Sequence, residues 1–403
     1  MTTNISDVEA QGAQLRLALA DRLARSGDLR SPAWRAAVEA VPRHLFVPAF
    51  FRYRDDGSYL WEPVTAERCG AAAWLDAAYS DDSLVTQLDG KVAPTDVDEP
   101  VQGTPTSSAT MPSLVVRMWE RLQVEDGMRV AEIGTGTGYS TALGCARLGS
   151  EYVTSIEVDA EVSARARTAL RTAGFEPRLV VGDALDSLDS LGSLESGGRR
   201  YDRVIATCSV RTLPYAWVAA ARPGALILAT LSGWLDAYGM VRLRVGDDGT
   251  ASGSFVEPTS FMLARRHERP GVPTFSTDLD LQARAAVVNA RILDEPISRF
   301  VAQLAAPNAQ YARAVAADDS PGADYFIDVS SGSYAVLDEA PDGTTRVRQG
   351  GPVRLWDAVE EAVAGWRRAG SPGIDAFSLH VTPDGQTVSL ATADGSVTWQ
   401  PPT

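Results

Sequence analysis

The 403-residue chain is poor in the side chains that carry metal, redox and amine chemistry. Its three cysteines, Cys69, Cys145 and Cys208, lie far apart and never form a C-x-x-C pair. That spacing excludes a disulfide framework or structural zinc site and suits a reducing compartment. Lys91 is the sole lysine, which removes Schiff-base and P-loop lysine chemistry from most of the chain. No run of about 18 uninterrupted apolar residues is present, so no membrane partner is expected. The first ten residues are polar and acidic rather than a charged-then-apolar export signal, and the expected location is cytoplasmic. Positive charge is also scarce: 37 Lys and Arg face 52 Asp and Glu, a net charge of −15. A general nucleic-acid partner is therefore not expected, because affinity for phosphates comes from clustered Lys and Arg.

What remains is an ordinary globular composition, 45% hydrophobic and 22% charged, which rules out disorder of the whole chain. At roughly 150 residues per domain, two domains are expected. Apolar residues over 13–40, from Leu15 to Val38, recur at steps of three and four, broken at Gly27 and Pro32. Two amphipathic helices fit this pattern. Residues 55–103 are polar and irregular, with Trp61, Trp74 and Tyr79 scattered through them, and read as a long loop that binds or covers something. Clear alternation starts after Pro112: helix over 114–122, strand 129–133, helix 139–148, strand 152–157, helix 160–173, strand 177–181, then strands 202–206 and 225–231. Strands and helices at this spacing imply a doubly wound, mostly parallel α/β sheet. Two further strands, 240–245 and 253–256, flank Gly246-Asp247-Asp248-Gly249, a hairpin signal. After about Arg266 the texture changes, and Pro270, Gly271 and Pro273 suggest a domain boundary near 266–275. Helices are expected around 281–290, 297–304 and 355–366, with short strands at 325–329, 333–337, 345–349, 376–381 and 387–390.

The chemistry is concentrated in Glu132-Ile133-Gly134-Thr135-Gly136-Thr137-Gly138, followed by Tyr139 and Ser140, on the turn between a buried strand and a helix. Three glycines there let backbone amides approach a ligand closely. The spacing is tighter than the dinucleotide G-x-G-x-x-G pattern. It resembles the first motif of class I S-adenosylmethionine methyltransferases, whose Rossmann-like sheet binds S-adenosyl-L-methionine. In keeping with that resemblance, Glu157, followed by Val158 at the end of the second strand, is expected to take the ribose hydroxyls. Asp183, with Ala184 after the third strand, is expected to take the adenine amino group.

A nearer resemblance lies in Val41-Pro42-Arg43-His44-Leu45-Phe46-Val47-Pro48, which is similar to the Val-Pro-Arg-x-x-Phe-Val segment of protein L-isoaspartate O-methyltransferases. Ser107-Ser108-Ala109-Thr110-Met111-Pro112 is similar to that family's Gln-Thr-Ile-Ser-x-Pro motif, with Thr110 at the substrate-contacting serine. Tyr201-Asp202-Arg203-Val204-Ile205 and Arg222-Pro223-Gly224-Ala225-Leu226 resemble its later motifs. Four regions are expected: N-terminal helices (1–54), an insertion or substrate loop (55–103), a methyltransferase domain (104–266) and a C-terminal α/β domain for peptide recognition (271–403). Familiar members stop near Met262 and lack the insertion. The chain therefore looks closer to a subgroup of actinobacterial peptide-maturation clusters, in which the Asp of a ribosomally made precursor peptide is methylated and its ester closes to an aspartimide. Repair of damaged proteins at isoaspartate is the alternative.

A carboxylate with a reference pKa of about 4 is already ionised at neutral pH and needs no general base. Positioning is then the main task, for Thr110 with Ser108 and Ser107. Thr110 or Ser113 would equally suit a helix N-cap. His44 reads as a packed histidine, Cys208 as a small buried side chain, and Trp61 and Trp74 as packing for the insertion. An amino N-methyltransferase commonly carries Asn/Asp-Pro-Pro-aromatic after the fourth strand. Ala206-Thr207-Cys208-Ser209 stands there instead. A non-catalytic peptide-binding protein would have no need of Gly134, Gly136, Gly138, Glu157 and Asp183 together.

Overall fold

The computed structural model describes residues 5–186, 201–272, 282–314, 322–340, 342–393 and 395–402. They form two compact units, Met1–Thr207 with Ala216–Leu228, and Cys208–Tyr215 with Ala229–Thr403. The first unit begins with helices α1 (Ile5–Ser26) and α2 (Pro32–Ala40). Ser31 caps α2, its hydroxyl accepting from Trp34 N. A short 3-10 turn over Arg43–Phe46 buries Arg43, His44 and Phe46.

The stretch expected to be an irregular loop is instead built into regular structure. Strands β1 (Ala49–Tyr53) and β2 (Trp61–Thr65), helices α3 (Ala66–Cys69) and α4 (Ala71–Ala78), and strands β3 (Leu84–Leu88) and β4 (Pro105–Ala109) follow one another. The four strands make an antiparallel sheet in the order β2-β1-β3-β4. One face closes over Phe51, Val85 and Leu88, with Trp61, Val92, Val97 and Val101 against them. Apolar residues in short, interrupted pairs hide such strands from a periodicity reading. Helix α5 (Pro112–Leu122) then buries Leu114, Val115, Met118, Trp119 and Leu122.

Strand β5 (Val130–Ile133), helix α6 (Tyr139–Leu148), strand β6 (Val153–Glu157), helix α7 (Ala160–Thr172) and strand β7 (Arg178–Val181) give the expected alternation. Strand β8 (Tyr201–Val210), helix α8 (Tyr215–Ala220) and strand β9 (Ala221–Ser232) extend it. The order is β9-β8-β5-β6-β7, with β5 parallel to both β6 and β8, and β6 parallel to β7. The glycine turn thus leaves the carboxyl end of a central strand, where ligands bind in sheets of this kind.

The second unit holds the antiparallel hairpin of β10 (Tyr238–Val245) and β11 (Ala251–Glu257), as expected from its turn. After β12 (Arg284–Ala285) come α9 (Pro296–Ala305), β13 (Gln310–Arg313), β14 (Asp324–Asp328), β15 (Ser333–Glu339), β16 (Thr345–Gly350), α10 (Leu355–Arg368), β17 (Phe377–Thr382), β18 (Gly385–Thr392) and β19 (Gly395–Trp399). Because β11 pairs with β17, residues 229–266 group with the C-terminal unit, and the division falls within β8 and β9 rather than between 266 and 271. Residues 273–275 of the expected boundary, and Leu281, lie outside the described residues. The helix expected over 281–290 is absent from its described part. Arg284 pairs with Asp357 and Glu360, and the Val287 and Val288 amides donate to Glu360, so this segment is tied to α10 as an extended strap.

Glu132 shows how closely the first unit is packed beneath its glycine turn. It is fully buried, and one oxygen accepts from Thr141 at 2.5 Å and Ser155 at 2.8 Å, joining β5 to α6 and β6. Burial raises its pKa, with the hydroxyl donors opposing. A carboxyl raised in the folded state keeps its proton longer than in the unfolded chain, so stability falls as pH rises from the ordinary Glu value of about 4.3 towards the folded one. In Glu132→Gln that slope disappears while the acceptor is kept. Urea unfolding across the acid-to-neutral range should show the wild type losing stability relative to the variant as pH rises. A pH-independent difference would mean that Glu132 titrates alike in both states.

Candidate active site

The glycine turn is the floor of the site. Gly134, Gly136 and Gly138 have φ of 92°, 53° and 90°, a region that side chains disfavour. A Cβ on Gly136 would lie 3.1 Å from the Ser108 carbonyl oxygen, so the turn lies directly against the hydroxyl-rich motif. Glu157, largely buried, faces the turn: its carboxylate accepts from the Gly136 amide at 2.9 Å and the Asp159 amide at 3.1 Å. The Gly182 amide donates to the Glu157 carbonyl at 2.9 Å, which sets Asp183 next along the same edge. Asp183 accepts from Leu185 N. Val158, just after Glu157, is 45% exposed, an apolar surface in this edge.

Several expected cofactor residues have side chains turned the other way. Glu132 lies in the core as described, and Thr135, 4% exposed, shares a hydrogen bond of 2.7 Å with Ser155. The Tyr139 ring is buried against Phe46 and beneath the Arg43 guanidinium, and Ser140 Oγ accepts from Trp119 Nε1. Ala184 is buried and its carbonyl accepts from Trp217 Nε1. A helix starting this close to a central strand packs its first side chains inward, so these residues offer main chain at most. The residues fit S-adenosylmethionine nonetheless: a Cβ-free cradle, a carboxylate over it and a second carboxylate one strand along.

The motif expected to meet the substrate divides in three. Ser107 is buried, and its hydroxyl accepts from Thr86 across the β3-β4 pair at 3.2 Å. Ser108 is half-buried with its carbonyl on Gly136. Thr110 is half-buried, and among the described residues its hydroxyl makes no hydrogen bond. The capping role expected of Thr110 or Ser113 is not seen. Met111 is the N-cap of α5 and has no capping side chain; the Ser113 amide donates to Asp81 at 2.8 Å, and the Met111 amide to Ser83 Oγ at 3.1 Å.

Sequence reasoning missed what holds this motif. Arg43 is completely buried and donates to the carbonyls of Ala78, Ser80 and Asp82 at 2.6, 2.8 and 2.9 Å, and to that of Thr110 at 3.4 Å. Burial lowers its pKa to about 10, so it stays charged at neutral pH. Buried Gln87 on β3 donates to Asp159, which caps α7. His44 is packed as expected, its Nδ1 2.8 Å from the Tyr79 hydroxyl and its pKa lowered by burial. Trp74 is buried and donates to the Val47 carbonyl, as packing for the insertion. Ala206 to Ser209 run within β8 rather than after it, and Thr207 Oγ1 donates to the Gly134 carbonyl at 2.5 Å.

Residues 83–262 match the family model described as protein-L-isoaspartate(D-aspartate) O-methyltransferase. Protein-L-isoaspartate O-methyltransferase 1 of Anaeromyxobacter sp. is 30% identical over 239 residues, 58% of this chain and 88% of that enzyme. The protein-L-isoaspartate O-methyltransferase of Nitrobacter winogradskyi is 33% identical over 136 residues, 34% of this chain and 58% of that one. A solved structure titled protein-L-isoaspartate O-methyltransferase is similar in fold, with a TM-score of 0.52 and 19% identity, over 93% of this chain and 99% of that one. The likeness in fold thus reaches into the C-terminal unit. It removes the extension beyond residue 266 as a reason to set this chain apart. The chain belongs to the protein-L-isoaspartate O-methyltransferase family of S-adenosylmethionine-dependent carboxyl O-methyltransferases.

Proposed function

We propose that this chain methylates the free carboxylate of isoaspartyl residues in proteins and peptides, with Thr110 as the substrate-contacting hydroxyl. The observation that carries this reading is the close approach of the Ser108 carbonyl to Gly136, two residues before Thr110, whose hydroxyl makes no hydrogen bond among the described residues. Family membership over the catalytic region supports isoaspartate repair ahead of the tailoring of a dedicated precursor peptide. When bound, S-adenosylmethionine supplies an electrophilic methyl group. Gly134, Gly136 and Gly138 would cradle it, Glu157 would take its ribose, and Asp183 with Val158 its adenine.

The chain's own task is to hold a nucleophile that needs no activation, since a carboxylate with a reference pKa below about 4 is ionised at neutral pH. A neutral hydroxyl orients one carboxylate oxygen without the strong charge-assisted bond that would blunt the other. Arg43, a buried cation that reaches the Thr110 carbonyl, directs its hydrogen bonds among the described residues to main-chain carbonyls. The methyl ester is a better leaving group than a carboxylate. Attack by the following backbone amide nitrogen expels methanol and closes a succinimide, whose hydrolysis returns a share of normal aspartate.

Two measurements test this. Mass spectrometry of paired synthetic peptides, one isoaspartyl and one aspartyl, incubated with enzyme and S-adenosylmethionine should show the gain of one methyl group on the isoaspartyl peptide. Methylation confined to the aspartyl peptide would transfer the proposal to precursor tailoring. In steady-state and binding experiments, Thr110→Ala should lower kcat by about tenfold, the loss of roughly one hydrogen bond to a charged group, with cofactor Kd unchanged. Asp183→Ala should instead raise cofactor Kd by a similar factor. Equal losses of cofactor binding in both variants would remove the assigned roles.

A further inference from the structure

Thr110 sits in a junction whose two sides are held by the segment just before β3. Helix α5 begins badly on its own terms: its N-cap is Met111, which has no acceptor, and its first residue is Pro112, which has no amide proton. The next donor, Ser113 N, is taken by the Asp81 carboxylate, and Met111 N by the Ser83 hydroxyl. Asp81 and Ser83 are both exposed, and neither has a sequence neighbour in α5. They act across a separation of about thirty residues on the amides that flank the catalytic hydroxyl.

The segment that carries them is itself anchored. Arg43 takes the carbonyls of Ala78, Ser80 and Asp82, and Arg22 takes that of Tyr79 at 2.6 Å. The same Arg43 reaches the Thr110 carbonyl. On the other side, Leu84 pairs with Ala109 and Val85 with Ser108, continuing the strand that Asp81 and Ser83 precede. One stretch, 78–85, therefore fixes the main chain before and after Thr110, while among the described residues the Thr110 hydroxyl makes no hydrogen bond.

We infer that Asp81 and Ser83 are positioning residues for the Thr110 hydroxyl, occupying the Ser113 and Met111 amides so that the substrate carboxylate meets the hydroxyl rather than the start of α5. This rests on Thr110 being the substrate contact. The charge of Asp81 lies at the positive end of the α5 dipole, the place that would otherwise compete for an anionic substrate. Filling that place from within the chain leaves a neutral donor to orient the nucleophile.

The test uses the full-length protein with Asp81→Ala, Asp81→Asn and Ser83→Ala, read by steady-state kinetics on an isoaspartyl peptide, cofactor titration and amide hydrogen exchange. Asp81→Ala should lower kcat about fivefold, the scale of one lost cap, without raising peptide KM and with cofactor Kd within about twofold of wild type. Asp81→Asn keeps the acceptor and should restore most of kcat. Ser83→Ala should show a smaller loss of the same kind, and it decides the matter if Asp81→Ala does not fold. Exchange at Met111 and Ser113 should quicken in the variants. Wild-type kcat in both alanine variants overturns the inference, as does a parallel loss of kcat and cofactor affinity, which a merely structural cap would produce. If the wild type methylates neither peptide, the proposed function fails on its own. Exchange at Met111 and Ser113 then still decides, and unchanged exchange in the variants overturns the positioning role.

Discussion

The first unit depends on a buried cation whose charge is met by carbonyl dipoles. Arg43 has no solvent exposure and gives its donors to four main-chain oxygens, three of them within a five-residue stretch. A buried unpaired charge would be prohibitive, and truncating one that is hydrogen-bonded typically strands its partners. The arrangement fixes three things together: the 3-10 turn after α2, the entry to β3 and the main chain at Thr110. The Tyr139 ring beneath the guanidinium adds the first turn of α6 to the same knot. A single side chain from the N-terminal region thus relates the helix that follows the glycine turn to the hydroxyl motif.

How much of this was legible in the sequence follows from the range of the interactions. The β5 to β9 alternation was readable because each element carries its own period and its own stops, Gly134 to Gly138 above all. Glu157 and Asp183 were readable because strand ends locate them. The insertion was misread because β1 to β4 bury apolar residues in short runs that show neither period, and because their pairing partners lie across turns of varied length. Asp81, Ser83 and Gln87 were unreadable for another reason. Each serves a backbone amide or carboxylate distant in sequence, and no local pattern marks such a residue.

The inward-facing members of the glycine turn teach a related lesson. Glu132, Thr135, Tyr139 and Ser140 stand in the motif, yet their side chains join strands and helices. The pattern is as much about packing the turn as about contacting a ligand. The Glu132 carboxyl, with one buried oxygen that has no hydrogen-bond partner among the described residues, marks where packing has been accepted at the expense of solvation.

Gln87 and Asp159 carry one more consequence. Asp159 stands two residues after Glu157 and holds the first amides of α7 while accepting from Gln87 on β3. The strand paired with the hydroxyl motif and the loop that follows Glu157 are therefore joined by a hydrogen bond. Whatever stiffens either partner in a particular geometry must bias the other by the same free energy, since linkage is reciprocal.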